Sequence, residues 1–503
     1  MQGECIASLA RSSGVQEVTG LATGAAWVAA SQFVRVVAQV VSIFVLARLM
    51  GPTEYGLVAL VSVVSAFAIL FKDLGSSAAI IQSETLDPSM VSTAFWLNIG
   101  FGLFLMFAIA VGSPLAENLF GACGLAPALA LLSIAFPVLS ASAVHQALLE
   151  RSQRFDVVAR IEILAAVTGV AVALVAAALG AGVYSVVLQT GVGAVVSSGM
   201  LWRVSAWRPS SPRRWSGLHF TTMLEYSRGV IGFNFVNYFS RNADSVIVGR
   251  VLSTSVLGAY SLSYRIMLFP LQSLTVAVSR SLFPAMSRLQ SDPEGMRLAY
   301  FGSVRVVSFI VAPLMAGIFI LREPFVRLVF GAEWALASDI LAWLAPTGFL
   351  QAILSTTGVV FMATGRTGLL FKLGVLGAVL QVGAFVVGVR YGILTMAACY
   401  LAANVVNSIP VLGACLGALG ATVRPLMGAV WRPMVGASLM ACVVQFLWST
   451  SLQDKSMSLV DLLIAVSVGS SFYGLFAALI DRKFVGDAVN AVRRKGKPAR
   501  SLS

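Results

Sequence analysis

The sequence predicts an all-α integral membrane protein of about fourteen transmembrane helices, built as two pseudo-symmetric six-helix lobes plus two C-terminal helices. Three observations predict it. The 503 residues are 58% hydrophobic and only 11% charged, with a mean hydropathy of +0.89; a soluble chain of this length is about a quarter charged. Apolar windows of about twenty residues, the length that crosses a bilayer, recur along the whole chain. Lysine and arginine fall overwhelmingly into alternate loops, as the positive-inside rule requires.

Taken in order, the first lobe (1–205) holds spans near 24–47, 56–72, 90–111, 126–147, 157–179 and 182–202. A basic connector, RVSAWRPSSPRRWSGLHF, carries Arg203, Arg208, Arg213 and Arg214. The second lobe (206–420) holds spans near 228–249, 256–278, 299–321, 339–362, 368–389 and 391–413. Spans near 428–449 and 458–480 occupy residues 421–480, and a basic tail fills 481–503. With both termini cytoplasmic, the inner loops hold Lys72, Arg151, Arg154, Arg280, Arg288, Arg297, Arg366, Lys372, Arg424 and Arg432, besides the connector and tail. The outer loops hold only Arg48, Arg250, Arg322, Arg327, Arg390 and Lys455. An odd number of spans would scramble this division.

The two lobes echo each other. ARLMGPTEYG, with Arg48 and Gly56, resembles GRVLSTSVLG, with Arg250 and Gly258, at an offset of 202. The same offset sets Arg35, Gln39 and Ser42 of the first span opposite Asn237, Arg241 and Asp244 of the seventh, with identical helical spacing. A weaker echo pairs GVYSVV at Gly182 with GILTMA at Gly392.

The seventh span carries the polar face from which function is read. Asn234, Asn237, Arg241 and Asp244 follow steps of three and four, which places them on one helix face. A charge at the centre of a lipid-exposed helix costs roughly 2.5 kcal/mol or more, so the face looks into protein or a water-filled cavity. Two readings fit, a wall of a translocation pathway and a structural seam between packed helices. Further charges in the spans are Arg160, Glu162, Arg228, Arg265 and Arg305. Arg160 and Arg228 lie within a turn of a span end, where snorkelling explains them. Arg160 and Glu162 are two apart and take different partners. Cations dominate the deep positions, and the forked guanidinium suits phosphate and carboxylate. A cavity of Arg35, Gln39, Asn237, Arg241, Asp244 and Arg265 therefore suits an anionic substrate. Asp244 and Glu162 are both candidate acceptors for a coupling proton or sodium ion.

Other chemistry finds little support. Cys5, Cys123, Cys399, Cys415 and Cys442 are scattered without metal or disulfide spacing, and no P-loop, HExxH or nucleophile elbow occurs. His145 and His219 read as interfacial or structural. REPFVRLVFGAEW, Arg322 to Trp334, reads as a short amphipathic helix on the outer surface with Phe325, Val329 and Phe330 on lipid. The basic connector and tail suit anionic headgroups rather than nucleic acid.

LARLMGPTEYGLVALVSVVSAFAILFKDLGSSAAIIQ (Leu46 to Gln82), SRNADSVIVGRVLSTSVLGAYSLSYRIMLFPLQ (Ser240 to Gln272) and ATGRTGLLFKLG (Ala363 to Gly374) resemble signatures of one family. These are the Wzx-type lipid-linked oligosaccharide flippases of the multidrug/oligosaccharidyl-lipid/polysaccharide exporter superfamily, nearest the branch of colanic-acid and succinoglycan transport proteins. The resemblance covers nearly all of the chain apart from its first twenty residues and its tail. It implies a V-shaped pair of lobes, as in multidrug (MATE) exporters, with alternating access through a cationic cavity to which Arg35 and Arg241 would contribute. The implied substrate is an undecaprenyl-diphosphate-linked oligosaccharide, flipped across the bacterial cytoplasmic membrane for polymerisation. Implied partners are membrane lipids and a polysaccharide polymerase complex, with no cofactor beyond a coupling ion. Two rivals belong to the same superfamily, a multidrug exporter and a lipid II-type exporter. A third, a membrane enzyme acting on the same glycans, would present a large outer loop with catalytic residues.

Overall fold

The computed structural model describes residues 27–71, 76–82, 87–210, 238, 242–451 and 458–480. They are helical almost throughout. Twelve helices among the described residues are long and apolar enough to cross a membrane. Of the spans expected beyond these, 228–249 lies largely outside the described residues, and 256–278 falls within a 35-residue helix that is less uniformly apolar.

The chain forms two compact units, Met1–Gly258 and Ala259–Ser503. The first contains α1 (Trp27–Leu49), α2 (Pro52–Phe71), α3 (Ser76–Gln82) and α4 (Pro88–Phe120). It continues with α5 (Leu125–Ser133), α6 (Ala135–Arg151), α7 (Phe155–Ala178), α8 (Tyr184–Val204) and α9 (242–251). Helix α10 (Thr254–Arg288) leads into the second unit. There follow α11 (Pro293–Val329), α12 (Ala335–Ser355), α13 (Thr357–Ala363), α14 (Thr367–Gly388), α15 (Ile393–Leu419), α16 (Val423–Ser451) and α17 (Leu459–Ile480).

Several helices outrun the twenty residues that a bilayer demands. Helix α4 has 33 residues and α11 has 37, about 50 and 55 Å at 1.5 Å per residue. Prolines sit inside both, Pro114 in α4 and Pro313 and Pro324 in α11; packed neighbours tolerate such breaks in membrane helices. The segment Arg322 to Trp334 is thereby corrected. It is no separate surface helix, because α11 runs unbroken through Pro324 to Val329. Phe330 is 1% exposed and stacks near the buried Trp334, with ring centroids 6.3 Å apart. Phe325 packs on the cluster of Leu321, Val444 and Leu462. Helix-to-helix burial takes the apolar side that sequence periodicity assigned to lipid. The connection to α12 is then only a few residues long.

Loops expected on one side of the membrane meet at one end of each unit. In the first, Trp96 Nε1 donates to the Ser210 carbonyl at 2.9 Å and Arg151 donates to the Ile80 carbonyl at 2.8 Å. His145, fully buried, packs there among Phe95, Trp202 and Trp207. In the second, Gln290 donates to the Ala363 carbonyl and Arg297 Nε to the Leu419 carbonyl, both at 2.8 Å.

The internal repeat has a structural counterpart. Gly56 of α2 lies against the carbonyl of Thr254, and Gly258 of α10 lies against the carbonyl of Pro52. Residues 52 and 56 are thus related to 254 and 258 by reciprocal contacts, and neither glycine has room for a Cβ. Two further correspondences escaped sequence comparison. Helices α4 and α11 both open with an Asp-Pro pair, where Asp87 accepts from the Ser89 amide and Asp292 from the Gly295 amide, each at 2.9 Å; this is the expected N-cap with proline at N1. The turns before α7 and α14 share one backbone course. Gln153 (φ 58°) and Gly365 (φ 70°) occupy the left-handed region. Arg154 and Arg366 follow at the N-cap, their amides bonded to the carbonyls of Leu149 and Phe361. Glutamine holds that conformation at a steric cost that glycine avoids.

Candidate functional site

The charges that the structure brings together lie on α1 and α7. Arg35 sits eight residues into α1 from Trp27, about 12 Å along its axis. Its Nη1 lies 3.3 Å from the Glu162 carboxylate of α7. Its Nη2 donates to Gln32 Oε1 at 2.8 Å. The other oxygen of Glu162 accepts from the Ser31 hydroxyl at 3.2 Å. The Arg35 side chain is 42% exposed and that of Glu162 26%. Arg35 Nε is buried without a hydrogen-bond partner among the described residues. Further along α1, Ser42 donates to Gln189 of α8 at 3.1 Å. The polar stripe of the first span is therefore a seam shared by α1, α7 and α8.

The stripe follows from the sequence. Ser31, Arg35 and Ser42 recur at helical spacing on an otherwise apolar helix, so one face turns to α7 and α8. Ser31 and Ser42 are buried on that face, whereas Gln39 is exposed. Neutral paired charges cost far less in a membrane than isolated ones, which explains how a glutamate is tolerated in α7.

Arg160 has other partners than Glu162, as its spacing predicts. It lies 3.6 Å from Asp156 on its own helix, and its guanidinium sits 4.8 Å from the Trp27 ring centroid. Both members of that pair are well exposed, so its contribution is that of a surface ion pair, well under 1 kcal/mol. Asp244, on α9, is 4% exposed, and one carboxylate oxygen accepts from the Ser245 amide at 2.7 Å. Asn237 and Arg241 lie outside the described residues. Nearby, Tyr238 donates its hydroxyl to the Val63 carbonyl of α2. Arg265 on α10 and Arg305 on α11 are half-buried.

A second polar cluster, absent from the sequence reading, lies between α12 and α15. Gln351 Nε2 donates to the Tyr400 hydroxyl at 2.6 Å and to Asn404 Oδ1 at 3.3 Å. Asn404 Nδ2 donates to the Tyr400 carbonyl at 2.8 Å. Tyr400 and Asn404 are 3% and 1% exposed. With Asn407 they follow steps of four and three on α15, a signal that hydropathy averaging hides because none is charged. Among the described residues no three His, Cys, Asp or Glu side chains cluster as metal ligands would. An apolar cleft of about 380 Å³ opens between α11, α12 and α16, lined by Met315, Phe319, Phe349 and Met434.

Comparison with known proteins gives the lineage. The family described as "Polysaccharide biosynthesis protein" matches residues 45–339, more than half of the chain. The lipopolysaccharide biosynthesis protein WzxC of Escherichia coli K12 is 27% identical over 431 residues, covering 84% of this chain and 86% of that protein. The succinoglycan biosynthesis transport protein ExoT of Rhizobium meliloti is 27% identical over 458 residues, covering 90% and 92%. Among solved structures, the lipid II flippase MurJ in an inward closed conformation superposes with a TM-score of 0.71 at 16% identity, over 91% of this chain and 99% of that one. That likeness shows the fold alone.

Proposed function

The chain belongs to the polysaccharide biosynthesis protein family, and on that premise we propose that it is a flippase for undecaprenyl-diphosphate-linked oligosaccharides. It would carry the repeat unit from the inner to the outer leaflet of the bacterial cytoplasmic membrane by alternating access, supplying exopolysaccharide, capsule or O-antigen synthesis. The observation that carries the reading is Arg35, a guanidinium on a membrane helix that is 42% exposed and held to Glu162 by one nitrogen only. Arginine's fork matches a diphosphate in charge and geometry. An exporter of organic cations would instead present unpaired carboxylates, and Glu162 is paired.

In this proposal Arg241 and Arg265 join Arg35 around the anionic group, with Asn237 and Gln39 toward the sugars. Asp244 tunes Arg241 or takes the coupling proton or sodium ion. The two lobes, 1–205 and 206–420, rock about the cavity, both termini are cytoplasmic, and a polymerase complex takes the product. Arg160 and Arg305 serve the interface or the rim. The names of relatives acting in lipopolysaccharide and succinoglycan biosynthesis support this substrate class.

The test is reconstitution into vesicles containing a fluorescent undecaprenyl-diphosphate-linked oligosaccharide, with quencher access reporting the leaflet. Protein-dependent loss of inner-leaflet label is expected. No flipping, together with efflux of a cationic dye from the same vesicles, would replace the reading with a multidrug exporter.

A further inference from the structure

We infer that Glu162 is an internal stand-in for the substrate's anionic group, holding Arg35 while the site is empty and being displaced from it when a diphosphate binds. The inference rests on the reading of Arg35 as an anion-binding residue and adds a positioning residue to that site.

The geometry supports displacement rather than a permanent tie. Only one Arg35 nitrogen faces Glu162, at 3.3 Å, which is longer than the 2.7–2.9 Å of a strong charge-assisted bond. A bidentate clamp would use two nitrogens, but Nη2 is turned to Gln32 and Nε has no partner. The more exposed member of the pair is the arginine, which an incoming anion reaches first. On its far side Glu162 lies 3.2 Å from the Ser31 hydroxyl, which shares its single proton with the Val28 carbonyl at 3.0 Å, so a neighbouring donor remains when the guanidinium turns away. Arg160, two residues before Glu162, is committed to Asp156 and Trp27 and offers no second cation.

The exchange has a consequence for turnover. An unpaired arginine inside a span would hold a diphosphate too tightly to release it. A tethered carboxylate competes for the same donors and lowers affinity in every state where it reaches them. Removing the competitor should therefore tighten ligand binding, whereas losing a merely structural ion pair would weaken it.

The experiment is calorimetric titration of the purified protein in nanodiscs with farnesyl diphosphate, using farnesol as the uncharged control. Glu162→Gln keeps the shape and the bond to Ser31 while removing the charge. It should tighten farnesyl diphosphate about tenfold, a difference of roughly 1.4 kcal/mol, leave farnesol unchanged, and slow flipping of the fluorescent substrate. In the Arg35→Gln background the same change should have no effect. Glu162→Ala gives the same sign and covers the case in which the glutamine variant misfolds, with size-exclusion profiles checking both. If Arg35→Gln weakens farnesyl diphosphate but Glu162→Gln does not tighten it, Glu162 is no competitor, while Arg35 keeps its role. If Arg35→Gln leaves binding unchanged, both this inference and the anion-site reading fall.

Discussion

Two polar seams run through apolar helices of this protein, and they solve the same problem in opposite ways. Between α1 and α7 the seam is ionic and half open, with Arg35 42% and Glu162 26% exposed. Between α12 and α15 it is neutral and closed, with Tyr400 and Asn404 almost wholly buried and bonded to Gln351. Charges are kept where water or an ion reaches them, because dehydrating them costs several kcal/mol. Amide and hydroxyl groups are kept where packing seals them, because their hydrogen bonds are satisfied internally. On the proposed function, the open seam is the one that handles a ligand, and the closed one fastens two helices.

The strongest way to break that contrast is to reverse the charge on the open seam. Arg35→Glu sets two carboxylates against each other and removes the proposed anion donor. Flipping should fall about 100-fold, the equivalent of ~2.8 kcal/mol, with membrane insertion retained. The exchange Arg35→Glu with Glu162→Arg restores the pair in inverted order. Whether it recovers flipping decides if the position of the cation or the mere presence of a pair matters. The ligand-site reading expects folding to recover further than transport.

Much of this architecture was legible beforehand. Apolar windows located the described spans because membrane helices must satisfy their backbone internally and so stay long and apolar. The offset joining Gly56 to Gly258 was visible because a backbone contact that excludes Cβ requires glycine on both sides of the repeat. Glu162 was noticed as a charge, but its partner was not. Ser31 and Glu162 are 131 residues apart, and only packing of α1 on α7 makes them neighbours. The closed seam was missed for a different reason. Gln351, Tyr400 and Asn404 add no charge, so they disappear into an apolar average. The segment Arg322 to Trp334 differs from its sequence reading because an apolar side looks the same whether it meets lipid or protein, and here α16 and α17 hold it against the cluster of Leu321, Val444 and Leu462.

The closed seam provides the intermediate effect. Asn404→Leu removes the acceptor for Gln351 and the donor to the Tyr400 carbonyl. Interhelical hydrogen bonds in membranes are worth about 0.6 kcal/mol and reach about 1.7; one such bond goes here, together with a bond inside α15, so the loss should lie near 1 kcal/mol, about the middle of that range. Thermal unfolding in detergent should show the lower midpoint. Flipping per folded molecule should stay within about twofold. A large transport defect in a fully stable Asn404→Leu protein would move the closed seam into the substrate path.

The smallest effect tests whether charge, rather than membership of a seam, makes the difference. Ser42 and Gln189 continue the α1 stripe, but their bond is neutral and Ser42 is buried like the residues of the closed seam. If location on α1 governed function, Ser42→Ala would impair flipping as Arg35 substitutions do. If charge and exposure govern it, Ser42→Ala behaves like a weak form of Asn404→Leu. One hydrogen bond is lost, Gln189 keeps partial access to other donors because it is only half-buried, and stability falls by about 0.6 kcal/mol. Flipping at saturating substrate should be unchanged, and so should farnesyl diphosphate affinity. The same helix would then carry both kinds of seam within eight residues of each other, with the ionic part at Arg35 serving the ligand and the neutral part at Ser42 serving the fold.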